Sequence, residues 1–210
     1  QRVDIIRQST QHLLALINDI LDFSQLQAQR MQLGQEPYAL HAGFEDIAKR
    51  LKHRAIQKKL QTICSIDPLL PRWVLMDHKR FSQLIDNLLD NALKFTNQGE
   101  IALHFKSCEL GLRIEVKDSG IGMTPEQASH IFGRFEKVSM DPVQLYGGTG
   151  LGLSICEKLV QLQNGRIGVG STLNQGSLFW VELPLLLTEA PHALIVEGQS
   201  SVALNNFPSV

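Results

Sequence analysis

Three short stretches of this chain combine residue types and spacings that could do chemistry. Asn87, Asn91 and Lys94 recur at spacings of four and three. At ~100° per helical residue their side chains fall within about 60° of one another on one face. Two carboxamides and an ammonium so placed can hold a hydrated divalent cation and a phosphate chain, because an amide oxygen is a hard ligand and a lysine a mobile point charge. An Asn on a helix is more often simply solvated, so this triplet carries weight only in company. The second stretch, Asp118-Ser119-Gly120-Ile121-Gly122, follows an apolar strand. A carboxylate at a strand end can accept a hydrogen bond from an exocyclic amine such as adenine's, and the glycines let the backbone approach a ligand. The third, Gly147-Gly148-Thr149-Gly150-Leu151-Gly152-Leu153, opens a helix with four glycines, so backbone N–H groups can face phosphates. Its spacing is not that of a P-loop, and no strand precedes it as a dinucleotide fingerprint requires.

The elements that position these stretches follow from periodicity. Val3 to Met31 lacks Pro and Gly and carries two adjacent heptad stripes, Ile6, Ser9, Leu13, Leu16, Ile20, Phe23 and Thr10, Leu14, Ile17, Leu21, Ser24, which predicts one long helix. A double stripe is wider than one partner covers, so dimerisation into a helical bundle is expected. Gly34 and Pro37 mark a boundary. Helices are then predicted at Ala42–Leu60, at His78–Phe95 behind the N-cap Asp77, near Glu126–Phe132 and at Gly150–Gln163, closed by Asn164-Gly165. Strands are predicted at Thr62–Ile66, Glu100–Ser107, Leu112–Lys117, Arg166–Gly170 and Ser177–Leu183, with a short apolar run at Trp73–Met76. The result is an α+β domain with helices on one face of a mixed sheet. The glycine-rich stretch from Asp118 to Thr149 is long for a connection and reads as a lid.

Composition narrows the class. Twenty Lys+Arg against 21 Asp+Glu give a formal charge of −1, and 43% of the 210 residues are hydrophobic. That is a folded chain without the basic excess of a nucleic-acid binder. No apolar run approaches the roughly 18 residues of a membrane helix, and the first residues do not open a signal peptide, so a cytoplasmic location is expected, with any membrane anchor in other parts of the parent. Cys64, Cys108 and Cys156 are too widely spaced for a zinc site and read as buried thiols. The seven His residues form no metal-hydrolase pattern.

In order, Asn87-Leu-Leu-Asp-Asn91-Ala-Leu-Lys94-Phe95-Thr96, Asp118-Ser-Gly120-Ile-Gly122, Ile131-Phe132-Gly-Arg134-Phe135 and Gly148-Thr149-Gly150-Leu151-Gly152-Leu153 resemble the N, G1, F and G2 boxes of the histidine-kinase catalytic domain, a Bergerat ATP-binding fold. Leu14 to Ser24 resembles the second helix of the dimerisation and phosphotransfer hairpin. The resemblance implies a two-layer α/β sandwich and three regions: 1–35, a truncated hairpin helix; 36–188, the ATP-binding catalytic domain; and 189–210, a linker and the possible start of a receiver-like domain, where Ala193-Leu-Ile-Val-Glu197 looks like a first receiver strand with only one of the usual acidic pair. It further implies that Asn91 coordinates Mg²⁺ and that Asn87 lies near metal and phosphates. Lys94 would contact the phosphates and Asp118 would read the adenine amine. Gly120 and Gly122 would shape the base pocket, while Phe135, Gly148, Thr149, Gly150, Leu151 and Gly152 would border the nucleotide. Arg134 is a candidate to neutralise charge on the transferred phosphoryl group.

The function implied is an ATP-dependent protein-histidine kinase core, with ATP and Mg²⁺ as cofactors and a homodimer and a response regulator or receiver domain as partners. Asn87 stands where a gyrase-type hydrolase has its Glu, and an amide cannot take a proton from water, which favours transfer to a nucleophile. No His-Glu-x-x-x-Pro-like acceptor motif is present, and His12 reads as a helix-surface residue, so the acceptor belongs to a hairpin helix missing from this stretch. Two alternatives stay open: a pseudokinase that works by dimerising, and an ATPase.

Overall fold

The computed structural model describes residues 31–133 and 150–190, together with positions 10, 13, 14, 17, 20–22 and 24–28 of the leading segment. Its elements run β1 (Glu36–Ala39), α1 (Leu40–Gln57), β2 (Gln61–Ile66), β3 (Trp73–Met76), α2 (His78–Phe95), β4 (Glu100–Cys108), β5 (Gly111–Asp118), α3 (Pro125–His130), α4 (Gly152–Leu162), β6 (Arg166–Thr172), β7 (Gly176–Pro184) and β8 (Leu186–Leu187). Every predicted helix and strand from residue 42 onward is present, with ends shifted by up to three residues, as fraying and capping allow.

Alternation along the strands builds two layers. The five-stranded sheet has the order β2-β4-β5-β7-β6, with β2 parallel to β4 and all other pairs antiparallel, hence mixed. Ile101, Leu103 and Phe105 of β4, Leu112, Ile114 and Val116 of β5, and Phe179, Val181 and Leu183 of β7 are buried on one face, against Phe44, Ile47 and Leu51 of α1 and Phe81, Leu84, Ile85 and Leu88 of α2. The ring of Phe105 meets those of Phe44 and Phe81 edge-on, at centroid distances of 4.9 and 6.0 Å. The opposite face is polar: Lys106 and Arg113 both bond Glu115, Arg113 also bonds Glu182, and its guanidinium lies 4.7 Å over the Trp180 ring. The sheet therefore carries its helices on one side, as its strand pattern requires.

A second, three-stranded antiparallel sheet of order β1-β3-β8 is a feature the sequence did not announce. Two of the three cysteines also correct the sequence reading: Cys156 is buried, but Cys64 and Cys108 are half-exposed. Cys64 lies on β2, an edge strand with one neighbour, and Cys108 at the last position of β4 before its turn, where the sheet covers less of a side chain.

The described positions between 10 and 27 are helical, and the lower end of this segment is fastened to the domain. The Asp22 carboxylate accepts from Arg80 and Gln83 at 2.7 and 2.8 Å. Leu26, Met31 and Leu33 pack on Leu151, Ile155 and Leu159 at the start of α4. Asp77 adds a third tie. One of its oxygens caps α2 by accepting from the N–H groups of Lys79 and Arg80, at 3.1 and 3.0 Å, and the other accepts from Gly34 N–H at 2.9 Å. Partial burial pushes its pKa up, but the N–H groups of Arg80 and Gly34, the Arg80 charge and the Lys79 N–H together pull it below the ordinary value. A depressed pKa makes the cap's contribution complete above about pH 4 and lost as pH falls through the folded value. Asp77→Ala is expected to cost about 1–2 kcal/mol at pH 7, with the difference shrinking in acid. Equal urea midpoints for the two proteins at pH 7 would remove this cap from the account.

Candidate functional site

The second half of α2 buries Leu84, Ile85, Leu88, Leu89 and Ala92, which leaves Asn87, Asn91 and Lys94 half-buried on its flank. The N–H of the Asn87 amide donates to the Gly152 carbonyl at 3.3 Å, so the acceptor end of the amide is not the one tied to the backbone. This contact brings the start of α4 beside α2. The first turn of α4 has neither a side-chain cap nor an acidic residue, so the positive end of its dipole stands next to Asn87 unneutralised by its own sequence. At the other end of the face, Lys94 Nζ lies 4.9 Å over the Phe95 ring.

Asp118 ends β5 in the inward register, paired with Ile101 of β4 and Ser177 of β7, and is buried. Its carboxylate accepts from Gly120 N–H at 2.9 Å and from the Ser177 N–H. Burial pushes its pKa up, and the two amides only partly offset this. The turn after Asp118 is pressed against the end of α2: Ile121 N–H donates to the Phe95 carbonyl at 3.2 Å. A Cβ on Gly120 would stand 2.4 Å from that same carbonyl oxygen, and only glycine fits. Gly122 is held at φ +61°, with the Thr172 carbonyl 1.9 Å from where its Cβ would be.

One helix face thus touches the glycine-led start of α4 at Asn87 and the Asp118 turn at Phe95, about 12 Å apart at ~1.5 Å rise per residue. Asn87, Asn91, Lys94, Asp118, Gly120, Gly122, Gly150, Leu151 and Gly152 all belong to these three elements. Arg134, Phe135, Gly148 and Thr149 lie outside the described residues, as do positions 134–149 of the expected lid and the receiver-like stretch from residue 191. Sequence reasoning missed the hydroxyls around Asp118. Ser171 Oγ donates to the Gly176 carbonyl, accepts from Met123 N–H at 2.9 Å and meets Ser177 Oγ at 2.9 Å. The signal was there: in the inward series Ser177, Phe179, Val181, Leu183, one polar residue replaces a core hydrophobe. Among the described residues no three His, Cys, Asp or Glu side chains form a metal cluster. A surface cleft of about 340 Å³, lined by Tyr38, Asp46, Arg50 and Ser82 among others, contains none of the candidate residues and has no part in this chemistry.

Comparison with known proteins identifies the family. The family model "Histidine kinase-, DNA gyrase B-, and HSP90-like ATPase" matches residues 76–187, more than half of the chain. The chain is 35% identical to sensor histidine kinase RcsC of Escherichia coli strain K12 over 94% of its own length and 21% of the relative's. It is 34% identical to the signal transduction histidine-protein kinase BarA of the same strain, over 96% of its length and 22% of that protein's. It therefore spans about a fifth of these curated relatives. Among solved structures, full-length ShkA in complex with AMPPNP superposes with a TM-score of 0.78 at 33% identity, covering 90% of this chain and 39% of that one. No helix among the described residues is long and apolar enough to cross a membrane. With its two-layer sandwich and three converging motifs, this chain belongs to the histidine kinase-, DNA gyrase B- and HSP90-like ATPase family.

Proposed function

We propose that this chain is the ATP-binding catalytic portion of a two-component protein-histidine kinase, which hands the γ-phosphoryl group of ATP to a histidine on a hairpin helix outside residues 1–210. The observation that carries the reading is the single face of α2, bounded by the start of α4 at Asn87 and by the buried Asp118 at its other end. A carboxylate buried against two backbone amides has acceptor capacity left for an amine donor, and the adenine amine supplies one. Asn91 and Asn87 present the hard oxygen donors that fit Mg²⁺, with Asn91 as its ligand. When bound, the metal would neutralise charge on the phosphates.

This chain's own residues do the rest. Lys94 supplies a mobile positive charge to the phosphate chain, and the N–H groups at the start of α4 offer it the helix dipole. Gly120 and Gly122 let the backbone close on the base, and Gly150, Leu151 and Gly152 border the phosphates. Arg134, Phe135, Gly148 and Thr149 are assigned by resemblance to the same nucleotide, Arg134 to the transferred phosphoryl group. Asn87 cannot accept a proton from water, so the site orients ATP for an external imidazole rather than hydrolysing it. Leu13, Leu14, Ile17, Ile20 and Leu21 are about half exposed in the described structure, a stripe that a second copy of this chain would cover in a homodimer. A response regulator or receiver domain would take the phosphoryl group onward.

Thermal unfolding with millimolar Mg-ATP tests the first step. At about 100 times the Kd, mass action adds ~2.7 kcal/mol, a rise of about 5–10 °C for a chain of this size. Asn91→Ala should abolish most of the magnesium-dependent part of that rise. Labelled γ-phosphate should then appear on a histidine-bearing hairpin supplied in trans. No shift at all would favour the non-catalytic dimerisation module, and steady phosphate release without an acceptor would favour a hydrolase.

A further inference from the structure

Ser171, Ser177 and Asp118 stand side by side on three neighbouring strands. Ser171 of β6 is the register partner of Ser177 of β7, which is in turn the partner of Asp118 at the end of β5. In the inward series of the same strands, the row before them is Val169, Phe179 and Val116, which belong to the apolar core. A polar row thus takes the place of the next row of that core. Ser171 Oγ has one proton, and it goes to the Gly176 carbonyl at 3.0 Å. The oxygen must therefore accept from its two other neighbours, the Met123 N–H and the Ser177 hydroxyl, each at 2.9 Å.

Each of these three partners bears on Asp118. Gly176 is held at φ +97°, and a Cβ there would stand 1.9 Å from the Asp118 carbonyl oxygen, so the hairpin between β6 and β7 lies hard against the Asp118 backbone. Ser177 N–H is one of two amides that the Asp118 carboxylate accepts from, the other being Gly120 N–H. Met123 closes the turn that Asp118 opens, directly before Thr124 caps α3. A backbone bond from Asn174 N–H to the Ile121 carbonyl, at 2.6 Å, ties the middle of that turn to the same hairpin. Ser171 is thus a single side chain that fastens both ends of the Asp118–Met123 turn to the hairpin. Removing its hydroxyl releases the Met123 N–H, the Gly176 carbonyl and the Ser177 hydroxyl together, a loss that a linked network feels as a unit.

We propose that Ser171 is a positioning residue for base recognition, whose hydroxyl fixes the direction in which Asp118 offers its free carboxylate lone pairs to the amine of the base. This rests on the ATP-binding reading above. The test uses the full 210-residue chain and compares, by calorimetry well below the unfolding midpoint, the dissociation constants of ATP and of purine riboside triphosphate, which lacks the amine. Ser171→Ala is expected to lower the free midpoint by about 2–4 °C and to weaken ATP about fivefold to tenfold, the worth of one hydrogen bond. The amine-free nucleotide should weaken by less than about twofold, because the contact that Ser171 aims is missing from it. Ser171→Thr keeps the hydroxyl and should bind ATP within about twofold of wild type. Should Ser171→Ala fail to fold, Ser171→Cys takes its place with the same expectation, since a thiol fills the site but bonds weakly. Equal losses for the two nucleotides would show that the hydroxyl serves only the fold, and would overturn this inference alone. An ATP affinity unchanged in Ser171→Ala overturns it as well. If wild type does not bind ATP, the reading of the whole site falls first.

Discussion

Asp118→Asn is expected to weaken ATP binding by about 10- to 100-fold, the worth of a hydrogen bond to a charged group, while leaving the free protein at least as stable as wild type at neutral pH. The two effects separate because the carboxylate is placed against its own preference. It is 5% exposed, burial raises its pKa, and no cation is among the causes that offset this. The folded state therefore holds the Asp118 proton more tightly than the unfolded chain does. Wild-type stability falls as pH climbs from the ordinary aspartate pKa through the raised one, and the neutral amide escapes that fall. Its oxygen can still accept from Gly120 N–H. The midpoint difference between variant and wild type should vanish at about pH 3 and reach its full value above the folded pKa. ATP affinity of wild type should rise over the same window, because the ionised acceptor is the stronger one. Paired thermal scans and ATP titrations from pH 4 to 8 decide the matter: a variant that loses stability and affinity together would make Asp118 a structural residue.

Gly122→Ala carries the largest expected cost in stability, about 3 kcal/mol or more, which for a chain of this size lowers the midpoint by about 6–12 °C. Alanine at φ +61° is strained by roughly 1–2 kcal/mol, and its Cβ would lie 1.9 Å from the Thr172 carbonyl oxygen, a backbone atom that cannot swing aside. Relief requires moving the end of β6 or the turn that carries Asp118, so ATP binding should suffer as well. Gly170 is the control. It lies on the edge strand β6 with nothing within 4 Å of a would-be Cβ, and Gly170→Ala should fall within about 0.5 kcal/mol of wild type. Equal midpoints for the two variants would show that the close approach at Gly122 is not a constraint.

Much of the site was legible because it is written in local spacing. His78–Phe95 was bounded by an N-cap and by a change of pattern, and its structure has those same ends, with Asp77 accepting from Lys79 and Arg80. Asn87, Asn91 and Lys94 share a flank because a helix has one period, whatever packs around it. Asp118 at a strand end and the glycines after it were equally local. The thiols were misjudged for the converse reason: the burial of Cys64 and Cys108 depends on how many strands lie beside them, not on their neighbours in sequence.

What the sequence determined by itself was the type and bounds of the main elements and which residues each could present on one face, since helical and strand periods are properties of the backbone. Tertiary structure decided which of those faces meet. The parallel pairing of β2 with β4, the small sheet that joins Glu36–Ala39 to Trp73–Met76, the Asn87–Gly152 contact and the closure of Phe95 on Gly120 all join residues from about 25 to 65 positions apart. A strand edge or a helix flank accepts many partners by its local chemistry. The choice among them is made only when one shared core must be filled.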